Sequence, residues 1–354
     1  MALIMMPPET ITSILHGSWA IQVLKSAVEL GLFDGLSEGA LTAAALAEKL
    51  GYPVKGVSLM LDSLVGMGLL ERPDLASHQF GKPKERLDSP ALYALSDCAA
   101  AYLVKESPLF MGMYLKQHDE LDKMWRYLKD TVKSGEPVMH VNNDDKASEI
   151  FPHLAESIIP LNYAIAEDAC RFVYETVLCG ESKPLKVLDV AAGSAVWSIP
   201  FARAHPGTTI SALDFPAVLK VTERIAEKFE VRDRLTLLPG NWRDVEIEPQ
   251  SYDVAILGHI LHSEGYDLSE RLLAYCFDLL RPGGTLIVAE FFANRNRTAP
   301  LHPLMFGLNM YLATSDGCIF SIEELSEMAL RTGFNRVIRH NSVDYVSPLL
   351  FAVK

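Results

Sequence analysis

Residues 256–265 read ILGHILHSEG. The segment opens as an apolar run, Val254, Ala255, Ile256 and Leu257, breaks at Gly258, and closes on His259, His262, Ser263 and Glu264. Such a run reads as a buried strand, so two imidazoles stand where a strand leaves the core. Two other strand ends are chemically loaded. In VLDVAAGSAVW, residues 187–197, a turn of small residues follows a strand, with Asp189 at its entrance. A turn of that kind lets a ligand approach the backbone. In LDFP, Asp214 stands 21 residues after Gly193 (214 − 193), at the end of the next strand. A carboxylate there can grip a ribose diol; the plainer role is to cap the helix that follows. A nicotinamide dinucleotide would use the same geometry with GxGxxG, whereas the sequence here is AAGSAV.

Strand ends converge only if a sheet aligns them. LKVLDVA, TTISALDF, LTLLPGNW, YDVAILGHI, TLIVAEFF and YVSPLLFAVK read as strands. Helical stretches separate them. AVLKVTERIAEKF has Pro216 at its start. A helix follows the near capping box Asp267-Leu-Ser-Glu270 and ends at RPGG, and another is capped by Ser321-x-x-Glu324. Alternation of this kind predicts an α/β fold with a parallel, doubly wound sheet over 184–354. Ligands of such sheets bind beyond the carboxyl ends of the strands.

The N-terminal third reads differently. Residues 9–31 have apolar positions at helical spacing and stop at Gly31. LTAAALAEKLG is a short helix with Thr42 as cap and Gly51 as stop, and VKGVSLMLDSLVGMGLLER follows. With the later ALYALSD, these form a helix-turn-helix with a wing. The second helix carries only Lys55 and Asp62, with no Arg to read bases. Packing and dimerisation therefore suit the module better than DNA binding. The expected domains are 1–110, a winged-helix-like unit; 111–183, a helical connector; and 184–354, the sheet domain. Within the connector, VNNDDK (141–146) reads as a loop, and Pro160 as a kink in one long helix.

A formal net charge of −13 argues against a nucleic-acid partner. The five cysteines form no CxxC pair or metal-ligand spacing, and free thiols suit a reducing cytoplasm. MALIMMPPET lacks a basic n-region and is broken by Pro7-Pro8, a poor secretory signal. No run of 18 apolar residues predicts a membrane span.

VLDVAAGSAVW, ALDFPAVL, LLPGNW, YDVAILGHILHSEG, LRPGGTLIVAEFF, LNMYLATSDG and ELSEMALRTGF together resemble the class I S-adenosylmethionine-dependent small-molecule O-methyltransferases with an N-terminal winged-helix dimerisation domain. The resemblance covers nearly the whole chain and implies a Rossmann-like catalytic sheet and a homodimer. It also implies methyl transfer to a hydroxyl of an aromatic or polyketide-like small molecule, with S-adenosylhomocysteine as product. His262, in LHSE where the family writes LHDW, would be the general base, oriented by Glu290. A neutral imidazole is available for that role at neutral pH; the plainer alternative is a satisfied, partly buried histidine. Asp189 would bind the cofactor at the entrance of the turn, Gly193 and Ser194 would meet its methionine end, and Asp214 and Phe215 its ribose and adenine. Asn241 and Trp242 would lie beside the adenine, with Gly258 and His259 at the rim. Tyr163, Phe306, Asn309 and Met310 would face the acceptor. No metal is implied, because no His/Asp/Glu cluster has ligand spacing in the sequence.

The sequence departs from the family pattern at named places. Ala191, Ala192 and Ala195 replace turn glycines, Gly258 replaces a frequent Lys, Ser263 replaces the Asp after the histidine, and Ile319 replaces a second carboxylate. The family also holds members that methylate carbon or use the cofactor without methyl transfer, as pericyclases do. A ligand-sensing winged-helix regulator is the remaining alternative.

Overall fold

Thr42 shows how directly the sequence writes the first elements. Its side chain accepts the Ala45 N–H at 3.2 Å and caps helix Ala43–Leu50, which stops at Gly51 with φ 75°. The computed structural model describes residues 8–75, 90–140, 144–341 and 348–354. They fall into two compact units, Met1–Lys116 and Gln117–Lys354. In the first, helices Glu9–Glu29, Ala43–Leu50 and Val54–Gly66 close over Leu32, Phe33, Leu46, Leu61 and Leu64. Three short antiparallel strands complete it, with Leu92–Leu95 between Leu41–Thr42 and Leu70–Glu71. This is the expected helix-turn-helix and wing. The first helix exposes Ile11, Ile14, Leu15 and Trp19. Among the described residues, no helix is long and apolar enough to cross a membrane.

The second unit is built on a seven-stranded sheet. Its strands in chain order are β1 (Lys186–Val190), β2 (Thr209–Asp214), β3 (Leu235–Pro239), β4 (Tyr252–Gly258), β5 (Leu280–Ala289), β6 (Arg336–His340) and β7 (Leu349–Val353). Their spatial order is β6-β7-β5-β4-β1-β2-β3. β1 to β5 are parallel, and the winding reverses between β1 and β4. Parallel strands covered on both faces read as near-continuous apolar runs, as VAIL does here and as VLDV does but for the buried Asp189. The sheet is not wholly parallel, however: β7 runs antiparallel to both β5 and β6. β6 escaped the sequence reading because Arg336, Arg339 and His340 break its apolar pattern at the sheet edge.

Register aligns the strand ends. Val190 pairs with Leu213 and Leu257, Leu257 with Val288, and Gly258 with Ala289. The chain therefore leaves four neighbouring strands along one edge, near Ala191, Phe215, His259 and Glu290.

Several local expectations are corrected. Residues 141–143 lie outside the described residues, but Asp144–Lys146 open helix Asp144–Ser157 instead of a loop. Pro160 does not kink one helix; it sits in the first turn of a second, Ile159–Phe172, where its missing N–H costs nothing. The helix after β4 starts at Leu261, before Asp267, and breaks at Gly265 with φ 76°. TLIVAEFF is two strands, since Phe292–Ala293 leaves β5 to pair with Phe320–Ser321. Ser321 and Glu324 do form the expected capping box.

Candidate active site

At the end of β4, the His259 N–H bonds to the Ala289 carbonyl of β5 at 2.9 Å, and His259 takes a left-handed φ of 59°. The chain then turns into the helix that carries His262. The His262 ring presents Nδ1 to Glu290 Oε2 at 2.7 Å, and its backbone N–H donates to Glu290 Oε1 at 3.3 Å. One carboxylate thus fixes both the backbone and the ring of His262. Glu290 is buried, with 1% of its side chain exposed. Burial pushes its carboxyl up, but the His262 and His259 rings and the His262 hydrogen bonds outweigh that and hold it below the usual range. An ionised Glu290 requires the proton on His262 Nδ1, which leaves the Nε2 lone pair available.

Phe291, directly after Glu290, anchors an aromatic group around this pair. Its ring lies 4.5 Å from His259, 4.8 Å from Phe306 and 4.6 Å from His302. Phe306 meets His262 edge-on at 4.8 Å. Burial lowers the His259 pKa to about 4, so this ring is neutral at neutral pH. Gly317 also belongs here: a Cβ on it would stand 2.1 Å from Thr314 Oγ1 and 3.0 Å from the His262 carbonyl. That carbonyl accepts the Cys318 N–H at 2.8 Å.

The turn after β1 is strained at its alanines. Ala191, Gly193 and Ala195 have φ of 55°, 56° and 58°. Left-handed backbone costs a residue with a Cβ roughly 1–2 kcal/mol, so two of the three glycine replacements carry that cost. Asp214 holds the turn in place: Oδ2 accepts the Gly193 N–H at 2.8 Å, and Oδ1 accepts the Phe215 N–H at 2.7 Å. Thr222 Oγ1 donates to the Gly193 carbonyl at 2.6 Å. Burial raises the Asp214 pKa to about 6 against those two N–H groups. Asp189 lies within β1, fully buried, and takes a 2.6 Å hydrogen bond from Ser198; burial raises its pKa to about 7.

The same edge fits a polar cofactor. Among the described residues, Ser194 Oγ and Trp242 Nε1 are buried without a hydrogen-bond partner, and such orphans call for a ligand or water. The Gly240 N–H donates to the Asp214 carbonyl at 3.0 Å, which brings Asn241 and Trp242 to the end of β2. Gly258 has no room for a side chain, because Trp197 fills the space.

On helix Leu301–Ala313, Phe306 reaches His262, and Asn309 Oδ1 accepts the Trp125 indole N–H at 2.9 Å. Met310 is buried beside Gly317. Tyr163 stacks on Phe229 at 4.8 Å, and its hydroxyl bonds to Arg203. No His/Asp/Glu cluster has ligand spacing along the sequence, but the fold brings one together. His259, His262 and Glu290 bring one ligand atom each within 4.8 Å of one another. Phe291, His302, Trp125 and Trp197 were not among the predicted site residues. Phe291 had a signal, its position next to Glu290; Trp125 had none, since its partner lies 184 residues away.

Residues 12–105 match the O-methyltransferase dimerisation domain and residues 125–335 the O-methyltransferase domain. The chain is similar to 3-hydroxy-5-methyl-1-naphthoate 3-O-methyltransferase of Streptomyces sahachiroi, with 25% identity over 87% of this chain and 84% of that protein. It is also similar to acetylserotonin O-methyltransferase of Mus musculus, with 28% identity over 91% and 82%. Among solved structures, human N-acetylserotonin methyltransferase in complex with S-adenosylmethionine superposes with a TM-score of 0.76. That match has 20% identity and covers 100% of this chain and 99% of that one.

Proposed function

We infer the reaction from one premise: this chain belongs to the O-methyltransferase family, whose catalytic domain spans residues 125–335. It is an S-adenosylmethionine-dependent O-methyltransferase. The relatives that support this are O-methyltransferases, so the alternatives of a non-methylating enzyme or a regulator fall away.

We propose that His262 is the general base and Glu290 its orienting acid. The observation that carries this is the 2.7 Å contact between His262 Nδ1 and Glu290 Oε2. With Nδ1 committed to the carboxylate, Nε2 takes the proton of the acceptor hydroxyl. Glu290 then faces an imidazolium and stabilises it. Bound S-adenosylmethionine supplies the electrophilic methyl group. The residues that would hold it are Gly193 and Ser194 at the turn, Asp214 and Phe215 at the end of β2, and Asn241 and Trp242 beside them. Asp189 supports the turn from beneath through Ser198. Phe306, Asn309 and Met310 would face the acceptor, and the helical stretch 111–183 contributes Trp125.

The acceptor we propose is a hydroxylated aromatic or polyketide-like molecule. The rings of Phe291 and Phe306 beside His262 favour a flat, apolar body. Relatives named for a naphthoate, acetylserotonin and tetracenomycin polyketide synthesis support that class. The match of residues 12–105 to a dimerisation domain supports a homodimer through the N-terminal unit. Five free cysteines suit the cytoplasm.

Calorimetric titration with S-adenosylmethionine and S-adenosylhomocysteine tests the cofactor, with micromolar binding expected. A methyl-transfer screen over phenolic acceptors then tests the reaction. Absence of binding at millimolar cofactor would sink the cofactor assignment.

A further inference from the structure

Two imidazoles and one carboxylate converge at the ends of β4 and β5. His262 Nδ1 lies 2.7 Å and His259 Nδ1 3.9 Å from the same oxygen, Glu290 Oε2. Zinc bound at about 2.0–2.2 Å in a tetrahedral site sets its ligands roughly 3.3 Å apart. The two observed separations bracket that value, and the third pair of ligand atoms lies within 4.8 Å, so side-chain shifts of about half an ångström to an ångström or more would seat a cation. The donor set, two histidines and one carboxylate with further positions open, is a recurrent one for late first-row metals. The ligands are also held in advance. His259 is fixed by its left-handed backbone and its N–H bond to Ala289, and Glu290 by the His262 N–H. The His259 and His262 side chains keep 10% and 12% of their surface exposed, which leaves a way in.

We propose that His259, His262 and Glu290 form an inhibitory site for Zn²⁺ or a similar divalent cation. The proposal rests, for its inhibitory part, on the reading of His262 as the base. A neutral imidazole has one N–H and one lone pair. In the metal-free site the proton is on Nδ1, facing Glu290, and Nε2 is the free acceptor. A cation on Nδ1 takes the lone pair there and the proton sits on Nε2. No proton is gained or lost by the ring, but the nitrogen facing the acceptor is now a donor. Metal binding therefore removes the base by changing its tautomer.

The test uses the full-length protein, stripped with a chelator and titrated with ZnCl₂ by calorimetry and with CoCl₂ by visible absorption. The expected result is one cation per chain at micromolar strength, with a Co²⁺ d–d band of low coordination number. His259→Asn and Glu290→Gln should each weaken binding at least tenfold, and Cys318→Ser, at a cysteine whose own N–H bonds to the His262 carbonyl, should leave it intact. Thermal melts without metal establish that each variant folds, and either of the two ligand variants suffices. Absence of the band, binding that survives both ligand variants, or binding lost in Cys318→Ser would each overturn the site. In wild type, Zn²⁺ at ten times its Kd should lower turnover about tenfold, reversed by chelator. Metal bound at this site with turnover unchanged would overturn the inhibitory role and the base assignment together, while leaving the metal site standing. No metal bound would overturn the site and leave the base assignment untouched.

Discussion

Trp197 occupies the space that a side chain at Gly258 would need. A Cβ on Gly258 would stand 2.4 Å from Trp197 Cδ1 and 2.6 Å from its Nε1. Trp197 is itself buried, so it has little freedom to yield. The glycine one residue before His259 is therefore a packing requirement set by the first turn. We predict that Gly258→Ala destabilises the fold by about 1–3 kcal/mol, the usual cost of overpacking. In a Trp197→Leu background the same substitution should cost much less. Urea denaturation of the four proteins in the cycle measures this, and strictly additive effects would show that the two positions do not compete for space.

The alanines of the turn divide by backbone angle. Ala191 and Ala195 are left-handed, whereas Ala192 is not among the positive-φ residues. Relief of the left-handed strain should outweigh the added chain entropy of glycine, so Ala191→Gly and Ala195→Gly should each stabilise by about 0.5–1 kcal/mol. Ala192→Gly should destabilise by a similar amount. Denaturation midpoints give the signs directly. A loss of stability in both of the first two variants would contradict the strained turn.

Much of this arrangement was legible in the sequence, for identifiable reasons. β1, β2, β4 and β5 are buried on both faces, so each appears as an apolar run, and the residues that end them are the polar ones the sequence marks. His262 and Glu290 were singled out because LHSE and VAEFF, just past two of these runs, resemble the family's pattern at those places. Ser321 and Glu324 were found because a capping box is local. What the sequence hid depends on distance or dihedral angle. Trp125 and Asn309 meet across the length of the catalytic unit, and nothing in either neighbourhood announces the other. The contacts of Tyr163 with Phe229 and Arg203 join residues far apart in the chain, and the sequence does not announce them. The convergence of His259, His262 and Glu290 was invisible because the two histidines follow one strand and Glu290 follows the next. That Ala191 and Ala195, but not Ala192, are left-handed is a property of the folded turn that composition does not carry.

The hydrogen bond from Trp125 to Asn309 leaves the Asn309 amide nitrogen free to donate to an acceptor molecule. Trp125→Phe removes the bond that selects this orientation. We predict that KM for the acceptor rises about threefold to tenfold, the worth of one neutral hydrogen bond. Cofactor affinity should stay within about twofold, which separates an effect on acceptor orientation from a general loosening of the site. Steady-state kinetics at saturating cofactor and calorimetry make the two measurements. An unchanged KM would mean that Asn309 does not contact the acceptor.

His262→Ala should cut turnover by about 10²–10⁴-fold, the range for loss of a positioned general base, with cofactor binding retained. Glu290→Gln keeps the shape but removes the charge that orients His262 and stabilises its imidazolium, and should cost about tenfold to 10³-fold. Both are read from single-turnover rates with calorimetric controls. A near-normal rate in His262→Ala would end its assignment as base.

Asp189 offers a test of how the turn is supported. Its folded pKa, raised by burial to about 7, stands above its ordinary value of 3.8. A raised folded pKa means that the native state holds a proton the unfolded chain has released. The associated stability is fully present below about pH 3.8 and is lost as pH rises through about 7. At pH 8.5 the wild type must either bury a charge or give up stability, while Asp189→Asn keeps a neutral amide that still accepts the Ser198 hydroxyl. Between about pH 5.5 and pH 7 the wild type should therefore lose about 2 kcal/mol relative to Asp189→Asn. His259, with a pKa of about 4, is shared by both proteins, whereas the Asp214 carboxylate, with a pKa of about 6, itself helps to raise Asp189, so its ionisation is part of the difference measured. Chemical denaturation of the pair across pH gives the two curves. Parallel curves would mean that Asp189 is ionised throughout and that water or a cation reaches the base of the turn.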